Sequence, residues 1–120
     1  VEIKSEQYTG TKSRLAGKSA WGSSPAGLEK LKRDNPILVN AGFSFGRIQY
    51  IAEFRFNDSE AYDQIKKNLK AKTSGKQTAP KVQYNQWGDA VGDKIKVTLF
   101  PNLNEDAFTK PFLKFLKDNQ

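Results

Sequence analysis

The chain has 120 residues, of which 20 are Lys or Arg and 13 are Asp or Glu, so its formal net charge is +7. It contains no His and no Cys, and therefore lacks the commonest general base, the thiol nucleophile and the usual zinc ligands. This composition favours a protein that binds a polyanion over an enzyme, and predicts no metal or other cofactor. No stretch approaches the ~20 apolar residues of a membrane span, and no apolar signal core is present at the start. We therefore expect a cytoplasmic protein that does not associate with a membrane.

The length predicts one domain with a modest core. The first predicted strand is Val1–Tyr8. The Gly- and Pro-rich segment Gly10–Pro36 that follows predicts turns, with at most a short helical turn. Ile37–Phe45 and Arg47–Phe56 are the next two predicted strands, and the second of them has the strongest alternation of apolar and polar residues in the chain.

The connection between these two strands is predicted to be a bend or a bulged hairpin. Gly42 and Gly46 bracket it, and glycine within a strand pattern is typical of a bulge. In the strand that follows, Tyr50, Phe54 and Phe56 share one face, which we assign to the core.

A helix is predicted next, because Asn57 and Glu60 have the spacing of a reciprocal N-terminal cap. Two further strands follow at Lys81–Trp87 and Asp93–Phe100. The last predicted element is an amphipathic helix, in which Pro111 must lie near the start because proline inside a helix costs about 3 kcal/mol. Its apolar stripe consists of Phe108, Phe112, Phe115 and Leu116.

The predicted order is three strands, a helix, two strands and a second helix. An OB-fold, a five-stranded partly open barrel, has its helix between the third and fourth strands. We therefore predict an OB-fold barrel over residues 1–101 and an accessory C-terminal helix over residues 102–120.

Sequence motifs for catalysis are sparse. The segment 10–19 ends in Gly-Lys-Ser, but the glycine that a phosphate-binding loop requires five positions before Gly17 is replaced by Lys12. A ribonuclease that works without a metal, using Lys, Arg and Tyr alone, stays open as an alternative function.

A binding surface is better supported by the sequence. Two segments, Gly10–Trp21 and Gln64–Lys81, contain several basic residues and no acidic residue. The first ends in Trp21, and Trp87 follows the second after a few residues. In an OB-fold, the first loop, the exposed side of strands two and three, and the last turn converge on the ligand. Cations there would bind phosphates and aromatic rings would stack on bases. The predicted nucleic-acid-binding residues are Lys12, Arg14, Lys18, Trp21, Phe43, Arg47, Gln49, Arg55, Lys72, Lys76, Trp87, Lys94 and Lys96.

The chain resembles the small single-stranded DNA-binding proteins of phages that infect lactococci. The resemblance lies in its size, its predicted element order and its Lys- and Asn-rich character, from Glu2–Tyr8 through Lys94–Phe100. It implies an OB-fold, binding and protection of single-stranded DNA in phage replication or recombination, and self-association. It also implies replication or recombination proteins as partners and a location in the host cytoplasm.

The apolar stripe of the last helix predicts, in addition, a homo-oligomer, most simply a dimer, because such a stripe is rarely left in water. Three alternatives stay open from the sequence: an RNA-binding module, the basic ribonuclease or toxin domain, and a protein-interaction subunit that uses this stripe.

Overall fold

The computed structural model describes residues 1–10, 13–17, 19, 21, 25–55 and 95–120. Within these residues the chain is a mixed α/β structure with an open four-stranded sheet. The strands are β1 (Glu2–Tyr8), β2 (Leu38–Ser44), β3 (Arg47–Phe54) and β4 (Lys96–Leu99), and they lie side by side in that order. The helices are α1 (Pro25–Asp34), a 3₁₀ helix (Glu105–Ala107) and α2 (Lys110–Asp118).

The first two strands are parallel, with Glu2 beside Leu38 and Tyr8 beside Ser44. Parallel neighbours need a crossover connection, and α1 lies within it. The helix ends at Asn35, whose φ of 39° is left-handed and whose N–H donates to the Leu31 carbonyl at 2.8 Å. Such a residue terminates a helix by satisfying one of its last carbonyls.

Strands β2 and β3 form an antiparallel hairpin with a bulge between Gly42 and Phe43. Gly42 lies opposite Tyr50, and a Cβ atom built on it would lie 2.0 Å from Cε1 of that ring. Only glycine lets the ring lie flat over the backbone here, and the strand bulges at the same point. The predicted bulged hairpin is confirmed.

The core lies on one face of the sheet, where Leu31 of α1 joins Phe112 and Leu116 of α2 in a single cluster. Phe112 packs edge-on against Tyr50 of β3, with the ring centroids 5.3 Å apart. Proline is in the first turn of α2, where its missing N–H costs nothing. The predicted apolar stripe is confirmed for Phe112, Phe115 and Leu116, whereas Phe108 lies before α2, in an isolated bridge with Leu15. The protein's own core covers most of these side chains.

Two features of the fold differ from the sequence prediction. The segment before β2 forms the ten-residue helix α1, where only a short helical turn was expected. The described strands form an open sheet whose first pair is parallel, whereas the predicted five-stranded barrel is an antiparallel Greek key. The parallel pairing results from α1, because a helix between β1 and β2 returns the chain to the end of the sheet where β1 begins. The predicted helix at Asn57 and the predicted strand Lys81–Trp87 lie outside the described residues.

Candidate nucleic-acid interface

The turn between β2 and β3 exposes an aromatic ring at its tip. Phe45 and Gly46 are the two turn residues, and both have positive φ, 49° and 79°. Two positive φ values are what a type I′ hairpin turn requires, and Asn, Asp or Gly ordinarily occupy its positions. Phe45 holds this conformation although its side chain is 68% exposed, so the strained backbone is not explained by burial of the ring.

The neighbouring strand β1 holds the Phe45 ring in place. Tyr8 meets it edge-on, with the centroids 5.9 Å apart and the planes at 78°. The Phe45 N–H also donates to the Tyr8 carbonyl at 3.2 Å. Gly10 leaves room for the ring, because a Cβ atom there would lie 3.0 Å from its Cζ atom. The ring is thus positioned before any ligand arrives.

On the other side of the turn, Arg47 lies at the rim of a cleft of about 320 Å³. The cleft is lined by Arg47, Ile48, Gln49, Phe100, Pro101 and Asn102. We refer to Tyr8–Gly10, Phe45–Arg47 and Phe100–Asn102 together as the hairpin-end surface. These nine residues include no Asp or Glu. The surface therefore combines an exposed ring, an exposed guanidinium and a cleft at the same end of the sheet.

Trp21 is not part of this surface, and the prediction that it is exposed is wrong. It is 1% exposed and packs edge-on against Phe54 with the ring centroids 5.9 Å apart. The ammonium of Lys4 lies 5.4 Å from the centre of its ring. The small residues around Trp21 in the sequence suggested a loop without packing partners, but the partners come from distant strands. A base therefore cannot stack on Trp21 in this structure.

Gln49 also differs from its predicted exposed position on β3. It is 3% exposed; its Oε1 accepts the Asn104 N–H at 2.7 Å, and its Nε2 donates to the Arg47 carbonyl at 3.2 Å. The bulge in the hairpin shifts the alternation of the strand here. Gln49 thus lines the cleft, but both polar atoms of its amide are bonded within the protein and are not offered to a ligand.

The remaining described cations are not gathered in one place. Arg47 begins β3 and Arg55 follows its last residue, which puts them at opposite ends of a strand that rises about 3.3 Å per residue. Lys96 lies beside Glu53, near the Arg55 end. Arg14 is exposed, and its Nε donates to the Asp106 carbonyl at 2.7 Å.

Of the two neighbouring phenylalanines, the sequence prediction selected Phe43, which is half-buried, whereas Phe45 is exposed. In the sequence, the Phe45-Gly46 pair between two predicted strands was the feature that could have indicated an exposed turn. Six predicted binding residues lie outside the described part of the chain: Lys12, Lys18, Lys72, Lys76, Trp87 and Lys94.

Sequence reasoning also missed a buried polar network on the core face. The Tyr50 hydroxyl donates to the Glu6 carboxylate and accepts a hydrogen bond from Asn40 Nδ2 at 2.6 Å, and the Ser19 hydroxyl donates to the side-chain Oδ1 of Asn40. Glu6 also accepts the Gly17 N–H at 2.9 Å. Burial, and then the adjacent Glu6 carboxylate, raises the pKa of Tyr50 well above its ordinary value. The network ties the segment after β1 to the sheet, and its buried tyrosine is not accessible to a substrate.

The described residues contain no group of carboxylates suited to a metal ion. No helix of this part of the chain has the length and apolar character needed to cross a membrane. No family model, curated protein or solved structure matches this chain.

Proposed function

We propose that this protein binds single-stranded DNA through the hairpin-end surface, with little sequence preference and without catalysing a reaction on it. The observation that carries the proposal is Phe45, an exposed ring on a left-handed turn residue. A bulky residue in this conformation costs on the order of 1–3 kcal/mol, and such strain is typical of binding sites. Stacking on a base would compensate for the strain, since each stacked base contributes about 1–3 kcal/mol.

The charge around the ring favours a nucleic acid over a protein partner. Arg47 follows the turn and is exposed, and the part of the chain that the structure describes offers it no ion-pair partner. With no acidic residue on the hairpin-end surface and a net charge of +7, a phosphate backbone is attracted and little on this surface repels it. A single strand is favoured over a duplex because its bases are free to stack on Phe45.

The choice of DNA over RNA rests on the resemblance in size and composition to the small phage single-stranded DNA-binding proteins. That resemblance also supports a role in replication or recombination. The five-stranded barrel is not needed for the proposal, because the ring, the cation and the cleft all lie at one end of an open sheet.

The test compares two variants that each remove an exposed apolar side chain. Phe45→Asn changes the turn residue, whereas Ile3→Asn changes a residue that is 70% exposed near the opposite end of β1. We expect Phe45→Asn to weaken binding of a labelled oligo-dT by about 1–3 kcal/mol. Its thermal midpoint should be equal or higher, because Asn favours this backbone conformation. Ile3→Asn should bind like the unaltered protein.

Equal affinities of the two variants would contradict the proposal. A competition between matched DNA and RNA oligonucleotides tests the RNA-binding alternative, and incubation with RNA tests the ribonuclease alternative. If the protein binds neither nucleic acid, the proposed function is wrong.

A further inference from the structure

Strand β1 forms one edge of the sheet, with β2 as its only neighbouring strand among the residues that the structure describes. It pairs with β2 over all seven of its residues without a bulge, and it contains no Pro or Gly. Edge strands are commonly short, bulged or interrupted by proline, because an open edge can pair with another chain. β1 has none of these three protections, so its side chains decide whether a second strand can pair with it.

The hydrogen bonds to β2 determine which residues of β1 face outward. The Glu2 N–H donates to the Ile37 carbonyl at 2.9 Å, and at the far end the Tyr8 carbonyl accepts a backbone N–H from the turn. Alternate residues of a strand direct their backbone groups to opposite sides. The residues whose N–H and C=O groups point away from β2 are therefore Ile3, Ser5 and Gln7.

The exposed apolar residue of this edge is Ile3. It is 70% exposed and lies beside Val39 of β2, which is half-buried. Its side chain lies on the face opposite the core, because the adjacent Lys4 extends over the buried Trp21 ring and successive side chains alternate. Glu2 and Lys4, on either side of Ile3, are both exposed, and neither forms an ion pair with a residue that the structure describes.

We propose that a second copy of this chain pairs with the edge of β1 in antiparallel orientation, with Ile3 opposite Ile3 of the second copy at the two-fold axis. In this register, Glu2 of each copy lies opposite Lys4 of the other. Two pairs of opposite charge therefore flank the central isoleucines. Apolar and oppositely charged side chains that face each other across two strands stabilise the pairing, and a two-fold contact uses the same surface on both copies.

The charges of β1 disfavour most other two-fold registers. An axis at Glu2, Lys4 or Glu6 places two identical charges directly opposite each other, which destabilises the pair. An axis at Ser5 pairs Lys4 with Glu6, but the Glu6 carboxylate already accepts hydrogen bonds within its own chain. The axis at Ile3 avoids both problems.

The position of the axis also leaves the hairpin-end surface uncovered. Ile3 lies near the start of β1, whereas Tyr8 and the Phe45 turn lie at its other end, so the dimer forms without a nucleic acid. Because the paired segment is short, we expect a weak dimer with a Kd between about 10 μM and 1 mM. Oligonucleotide titrations at far lower protein concentrations measure monomers, so Ile3→Asn stays a valid control for Phe45→Asn.

Single cysteines test the register directly, because the chain has no Cys of its own. In a hydrogen-bonded antiparallel pair the two Cα atoms are about 5.5 Å apart, a separation that a disulfide spans. Under mild oxidation Ile3→Cys should therefore form a disulfide-linked dimer. Ser5→Cys, an exposed residue two positions along the same strand, is the matched control and should stay monomeric. Equal cross-linking of the two variants, or cross-linking of Ser5→Cys alone, would overturn the proposed register.

Sedimentation tests the association without a cross-link. Lys4→Glu should raise the Kd of the dimer at least about tenfold, because it puts like charges opposite each other. Adding Glu2→Lys to Lys4→Glu restores opposite charges, so the double variant should dimerise like the unaltered protein, which separates a lost contact from a lost fold. Lys110→Glu makes the same change of charge at an exposed position of α2, which packs beside β4, and should have no effect.

Two results would overturn the proposal. One is an unaltered protein that stays monomeric at about 1 mM. The other is a double variant that associates no better than Lys4→Glu alone. Either result would leave the proposed function untouched, because the hairpin-end surface takes no part in the pairing.

Discussion

The contrast between two aromatic residues shows what decides a binding role at the scale of single residues. Trp21 is surrounded in the sequence by small residues, yet it is 1% exposed. Phe45 looks like the end of an apolar strand, yet it is 68% exposed at a turn tip. Local composition could not separate the two, because the residues in contact with the Trp21 ring, Lys4 and Phe54, belong to the distant strands β1 and β3.

The buried polar network was equally hidden from sequence reasoning. Alternation assigned Tyr50 to the core, and it is fully buried as expected. Its hydrogen bond to Glu6 joins positions 44 residues apart, a pairing that only the parallel arrangement of β1 and β2 creates. Asn40 is also fully buried, but nothing in the sequence distinguishes it from an exposed strand residue.

The pH dependence of stability should report on Tyr50. Because its pKa is raised in the folded state, its proton is held more tightly there than in the unfolded chain, where the pKa is about 10. The resulting stabilisation is complete below about pH 10 and is lost as the pH rises toward the folded pKa. The free energy of unfolding, measured in urea from neutral pH to about pH 11, should fall more steeply for the unaltered protein than for Tyr50→Phe.

Tyr8→Phe is the control, because it removes the hydroxyl of a half-buried ring of β1 that takes no part in the network. At neutral pH, Tyr50→Phe should cost about 1–3 kcal/mol, since it leaves the Asn40 Nδ2 donor without the Tyr50 hydroxyl and removes one of the hydrogen bonds that Glu6 accepts. Parallel pH profiles for the unaltered protein and Tyr50→Phe would contradict this account of the network.

At the scale of elements, the sequence predicted the described strands and the β2–β3 hairpin well, and missed the parallel pairing of β1 with β2. Alternation located β1, β2, β3 and β4 to within a few residues, and the apolar stripe located α2. The helix α1 was missed because Gly27 weakens it by local preference and the Gly- and Pro-rich segment around it indicated turns. Packing of Leu31 into the core, together with the left-handed end at Asn35, stabilises it. Because α1 carries the chain back to the end of the sheet where β1 begins, β2 can run parallel to β1. A prediction without α1 therefore gave a different topology.

The packing of α2 removes the original reason for expecting a dimer. Phe112 and Leu116 are each 0% exposed and Phe108 is 3% exposed within a single chain. The segment after β1 fastens this region further, with the Leu15 N–H donating to the Ala107 carbonyl at 2.8 Å and the Thr109 N–H to the Leu15 carbonyl at 3.1 Å. A homo-oligomer stays a prediction, now without the support of an uncovered stripe.

Phe112→Ala tests this packing. Truncating a fully buried Phe costs about 3–5 kcal/mol, so the free energy of unfolding in urea should drop by that amount. Phe115→Ala, at a half-buried position stacked on Phe112, should cost clearly less. If the stripe instead lay in a subunit interface, the loss would vary with protein concentration, and the two variants would behave alike.

At the scale of the whole molecule, composition indicated the class of partner and the fold indicates where it binds. The net charge of +7 and the absence of His and Cys favour polyanion binding. The predicted binding cations that the structure describes, however, lie apart, with Arg47 and Arg55 at opposite ends of β3. Only Arg47 lies beside the exposed ring and the cleft, so the expected site is compact and uses few contacts among the described residues.

The most direct test of single-strand binding at the hairpin-end surface is a titration of a labelled strand of about 30 nucleotides and of its duplex, each at two salt concentrations. We expect tighter binding of the single strand. We also expect a negative log–log slope against salt, to which each cation that contacts a phosphate contributes about −0.7. Arg47→Gln should make the slope shallower by about 0.7, whereas Arg33→Gln, an exposed residue of α1, should not. Binding that prefers the duplex, or a slope near zero, would contradict the account.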